Sequence, residues 1–128
     1  MSQQTDSPVI KLVLSKEEIG LYTNVLNEIL NGLEIRDFQG RISTSREAAE
    51  ALLRRLGDAF ETSTQSQKRT LSFRLGEIRT LEAGFLTCMQ ELGAEEMPIR
   101  TGLSLVEAER HVFLLNHLWQ DAPTLGVA

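Results

Sequence analysis

A chain with one cysteine has no partner for an internal disulfide, and Cys88 alone is neither a redox pair nor a thiolate metal cluster. No run approaches the eighteen or so apolar residues needed to cross a bilayer. The N-terminal "MSQQTDSPVIKLVLSKEE" lacks a basic start, and Lys11 interrupts its short apolar run, so no signal peptide is expected. These absences together predict a membrane-free protein in a reducing cytoplasm. Glycine-rich phosphate loops, a dinucleotide fingerprint and a G-x-S-x-G elbow are also missing, so no cofactor is expected.

Positive charge is scarce in the second half. Residues 1–70 hold nine Lys/Arg against ten Asp/Glu, and residues 71–128 hold four against eight, for a net charge of -5. Such a chain repels a phosphate backbone, which argues against nucleic acid as a partner. Hydrophobic residues at 41% and charged residues at 24% nonetheless match an ordinary folded domain. At 128 residues it is long enough to bury a core without staples.

What is present is helix punctuation. "VIKLVL" alternates Ile10, Leu12 and Leu14 against Val9, Lys11 and Val13, the period of a short strand over 9–14. Ser15 and Glu18 then form a capping box. Ile19, Tyr22, Leu26, Ile29, Leu30 and Leu33 follow at helical steps, and Asn31-Gly32 marks a left-handed end. After a loop, Thr44 with Glu47 reads as a second capping box, opening a helix striped by Ala49, Leu52, Leu53, Leu56 and Phe60. "ETSTQSQKR", residues 61–69, has no periodicity and reads as a linker.

Beyond the linker a strand is expected over 70–75, with Leu71, Phe73 and Leu75 on one face and Gly76 closing it. A helix carrying Ile78, Leu81, Phe85, Met89 and Leu92 should stop at Gly93, with 94–102 a loop broken by Pro98. Ser104 with Glu107 supplies a third capping box, and Leu105, Ala108, Val112, Leu115 and Trp119 stripe a last helix that ends before Pro123.

Strand, helix, loop, helix is thus written twice, and at a shift of sixty Leu21 meets Leu81, Val25 meets Phe85 and Leu52 meets Val112. The expected fold is α+β and mostly helical. Two halves, 9–60 and 70–120, related by a pseudo-two-fold axis would place a short antiparallel strand pair on four helices. Residues 1–8 and 121–128 are read as tails of this single domain. "NVLNEILNG" (24–32) followed by "SREAAEALLRRL" (45–56) resembles short uncharacterised bacterial helical proteins. The resemblance covers the first half alone, and Thr87, Cys88 and Gln90 depart from it where Asn27, Glu28 and Leu30 stand. No activity comes with it.

The chemistry-bearing residues do not converge. His111 and His117 lie about 240° apart around a helix, so no metal site is expected. Cys88 beside Met89 reads as a buried, inert thiol, and the first-turn glutamates are explained by the helix macrodipole, so no catalytic residue is assigned. Gly20, Asn24, Asn27 and Asn31, at steps of four, three and four, line one side of the first helix, where asparagine is a poor helix former. Tyr22, Asn24, Asn27 and Asn31 are therefore the candidate interface, for another protein or a second copy of this chain. The leading expectation is a non-catalytic protein–protein interaction module. Alternatives are a DNA-linked regulator using the arginines of the helix at 44–56, and a sensor or enzyme with a cleft between the halves near Cys88 and His111.

Overall fold

The computed structural model of the chain describes residues 9–127, with side chains described through residue 120. The tail expected over 1–8 lies outside the described residues. Strand β1 (Val9–Leu14) buries Ile10, Leu12 and Leu14 and exposes Val9, Lys11 and Val13, as its alternation requires. It pairs antiparallel with β2 (Arg69–Arg74), Ile10 opposite Phe73 and Leu12 opposite Leu71. The apolar cross-strand pairs thus share the covered face.

Strand β2 ends sooner than the alternation suggests. Glu77 accepts the Arg74 backbone N–H at 2.8 Å, half of a capping box. Helix α4 (Leu75–Thr101) therefore begins at once, and Gly76 lies inside it instead of closing the strand.

Helix α1 (Lys16–Asn27) starts where Ser15 predicts. Its hydroxyl accepts from the Glu18 backbone at 3.1 Å, and the Glu18 carboxylate accepts from the Ser15 backbone at 2.8 Å. The helix widens into a π-helical turn, Glu28–Gly32. Gly32 does not take the left-handed conformation expected of it. A Cβ there would push on the Glu28 carboxylate, so any larger residue must displace that side chain from its place beside Arg100. The following loop contains one short helix, α2 (Phe38–Ile42), bounded by Asp37 and Ser43 at positive φ. Helix α3 (Arg46–Thr62) is capped one residue later than expected: the Ser45 hydroxyl, not that of Thr44, accepts from the Ala48 backbone.

The expected loop at 94–102 is also helical. Gly93, at φ 74° and ψ −176°, holds a conformation open essentially to glycine alone, and α4 bends there before resuming through Pro98 to Thr101. Helix α5 (Leu105–Val127) begins at the predicted Ser104–Glu107 box and continues through Pro123 into the segment expected as a tail.

The chain is α+β and mostly helical, with one two-stranded antiparallel sheet among the described residues. α1 packs on α3 and on α4, and α4 packs on α5. Ile19, Leu26, Ile78, Leu81 and Phe85 are fully enclosed between these elements. No helix among the described residues is long and apolar enough to cross a membrane.

Candidate functional site

Tyr22, the second apolar step after the Ser15 cap, is carried by α1 into the seam with α4 and α5. It is completely buried, its ring meeting Phe85 edge-on at 5.3 Å and His111 edge-on at 5.3 Å. Phe85 and His111 stack at 5.4 Å, and the Tyr22 hydroxyl shares a 3.0 Å hydrogen bond with His111 Nδ1. Tyr22 is therefore no part of a surface patch. Its place in the apolar stripe, three residues after Ile19, accounts for that burial.

His111 is half-buried and lines a groove of about 240 Å³ together with Glu17, Glu18, Leu21, Leu103, Glu107 and Arg110. Burial lowers the imidazole pKa, opposed by the nearby carboxylates Glu18 and Glu107. Burial, reinforced by Glu18, raises that of Tyr22. Glu107 is held below the usual carboxylate range by hydrogen bonds from Ser104. The neutral imidazole is the form that fits.

A depressed histidine pKa means that the unfolded chain binds more protons than the native one below the ordinary value of 6.5. His111 thus contributes stability that is present above pH 6.5 and lost as pH falls through the native pKa. Urea midpoints measured between neutral and mildly acidic pH should fall for the wild type. The slope should flatten in His111→Gln, and an unchanged slope would show that the imidazole is not what titrates.

The asparagines of the stripe, Asn24, Asn27 and Asn31, all lie at the surface, as their spacing predicts. Gly20 faces α3, where a Cβ would come within 3.0 Å of the Phe60 ring. Asn24 Nδ2 donates to the Thr101 carbonyl at 3.0 Å, tying α1 to the end of α4. Asn27 and Asn31 are exposed, and Asn31 donates to the Asn27 side chain at 2.9 Å.

Two features lie outside the residues expected to form a site. Glu28, in the π-helical turn, is buried against Arg100 of α4, its Oε1 lying 2.7 Å from Arg100 Nη2 without a well-aligned hydrogen bond. Arg100 Nε donates to Glu28 Oε2 at 3.3 Å, and its Nη2 reaches the Gly32 carbonyl at 3.4 Å. Cys88 is enclosed nearby, its thiol pushed up to about 12 by burial and by the Glu28 charge, against the opposing pull of Arg100. At that value the thiolate needed of a nucleophile is scarce at neutral pH.

Of the three α3 arginines that suggested a DNA-facing helix, Arg46 and Arg55 are engaged by the protein itself, while Arg54 is exposed. Arg46 donates to the Leu30 carbonyl and lies over Phe38. Arg55 pairs with Glu77 and lies over Phe73. No group of three potential metal ligands converges among the described residues.

The second unforeseen feature is the outer face of α5. Phe113 is 69% exposed and Val106 is 60% exposed, while Leu114 and, on α4, Leu86 are also open to solvent. Phe113 leans on His117 at 5.0 Å. The helix is held from the opposite side, where Asn116 and Trp119 donate to the Glu82 carboxylate at 2.8 and 2.6 Å and Arg79 lies over the indole. The apolar face is therefore presented by a firmly seated element. A period count would have found Val106 and Phe113, seven apart, on the side opposite Ala108 and Leu115.

No family model, no curated protein and no solved structure matches the chain.

Proposed function

We propose that the protein is a non-catalytic protein–protein interaction module whose principal contact surface is the outer face of α5. The observation that carries this reading is the exposure of Phe113 on the same helical stripe as Val106. Burying a phenylalanine and a valine side chain is worth about 1.5–3 kcal/mol each. Leaving both in water on a rigid helix is a cost that binding a partner removes. The interior chemistry supports the same reading: the Tyr22 hydroxyl, the Cys88 thiol and the Glu28 carboxylate are each committed to packing or pairing inside the fold. Asn27 and Asn31 form a smaller polar contact on α1.

The two halves are read as copies of one strand-helix-helix unit, with α1 matched to α4 and α3 to α5. The unequal connections, a π-helical turn and α2 in one half and the Gly93 bend in the other, are where the copies have diverged.

Tagged wild type, Phe113→Ser and the double variant Asn27→Ala with Asn31→Ala, each with native circular dichroism, can be incubated with extract of the source cells. At least one protein should be retained by the wild type and the asparagine variant and lost from Phe113→Ser. Identical retained sets for all three would remove α5 as the contact surface.

A further inference from the structure

On α5 the exposed side chains Val106, Arg110, Phe113 and His117 recur at steps of four, three and four. That is the spacing of a helix that packs its whole length along another helix. The opposite side of α5 is already used, since Ala108 and Leu115 are buried and Trp119 is bound to Glu82. The outward stripe is a second packing seam, and within the described residues nothing lies against it.

The order of residues along the seam says what fits. When a stripe of this spacing meets an identical one running the other way, first meets last and the two middle positions meet each other. Val106 then lies against His117 of the second copy and Arg110 against Phe113 of the second copy, and a two-fold axis makes each contact twice. The chemistry of the middle layer is self-complementary, because a guanidinium stacks well on a phenyl face. This fold uses that pairing repeatedly: Arg46 lies 4.5 Å from the Phe38 centroid and Arg55 lies 5.3 Å from that of Phe73. Arg110 makes no ion pair among the described residues. Glu107 and Glu109, exposed on either flank, offset the charge of the two arginines brought near the axis. A parallel arrangement would instead set Arg110 against Arg110 and leave Phe113 against Phe113, losing the stack and adding a like-charge contact.

We infer that the partner of the α5 face is a second copy of this chain, bound through an antiparallel α5–α5 pairing with Arg110 stacked on Phe113 across a two-fold axis. This rests on the reading of that face as the contact surface and names its occupant. The seam spans about three helical turns. A single-helix seam of that length is shorter than the surface a permanent dimer uses, so the association is expected to be reversible.

Sedimentation equilibrium carried up to on the order of 100 µM should show a monomer–dimer equilibrium. Phe113→Glu should weaken it by roughly 30-fold or more, the loss of a central anchor, with native circular dichroism retained. Register is tested by disulfide capture, for which the buried Cys88 does not compete. Val106→Cys chains mixed with His117→Cys chains should give a covalent dimer under mild oxidation, and either variant alone should give little. A wild type that stays monomeric throughout, a dimer that Phe113→Glu leaves intact, or capture equal in all three samples overturns the pairing. Those outcomes leave the heterologous capture with Phe113→Ser standing, so loss of the self-pairing and loss of the wider interaction reading are told apart.

Discussion

Replacing Tyr22 with alanine should cost about 4 kcal/mol, the largest loss expected from any single change described for this protein. The side chain is wholly enclosed, and its ring is the piece that α1 inserts between Phe85 of α4 and His111 of α5. Truncation leaves a ring-sized void at a three-helix junction that cannot collapse without moving all three helices. It also strips His111 Nδ1 of its 3.0 Å partner. Tyr22→Phe separates the two contributions, because it fills the void and removes only the hydroxyl, for about 1–2 kcal/mol. Chemical denaturation of the two variants checks the ratio. Equal losses would mean that the hydrogen bond, not the ring, holds the junction.

The second large effect belongs to Arg100. Its loss leaves the Glu28 carboxylate buried without a counter-charge, and removing one partner of a buried pair costs about 3–5 kcal/mol. The Arg100 side chain is 35% exposed, so water enters in its place and the lower end, about 3 kcal/mol, is expected for Arg100→Ala. The double change Glu28→Leu with Arg100→Leu should recover most of that loss. An apolar pair of similar volume has no desolvation to offset. Calorimetric melting temperatures of the single and double variants decide it, and a double variant as unstable as Arg100→Ala would show that the arginine acts through Gly32 and Glu96 contacts instead.

How far the sequence announces this molecule depends on the range of the interaction. Period-two alternation in 9–14, the Ser15–Glu18 box and the Ser104–Glu107 box are local, and each is where the residues alone place it. Gly93 shows the limit of local reading: a glycine after a helical stripe signals a stop, yet the backbone uses it to bend and resume. Thr44 and Ser45 are chemically equivalent caps, and only the packing of α3 selects the second. Tyr22 was legible as core from its spacing and illegible as the partner of a histidine 89 positions on. Glu28 and Arg100, 72 positions apart, carry no mutual signal in one sequence. The outer α5 stripe is legible from Val106 and Phe113, seven apart, but it shares its helix with the stronger inward stripe of Ala108 and Leu115.

The sheet joins the first described residues to the middle of the chain, and neither strand has a partner within its own half. Each half is therefore an incomplete unit of folding. Helical hairpins can form from neighbouring residues as synthesis proceeds, whereas the ribbon waits until Arg69–Arg74 exists and must then close a long loop. The ribbon is a clasp that no single stretch of sequence can fasten, and cutting the chain at residues 63–68 would leave each fragment with half of it.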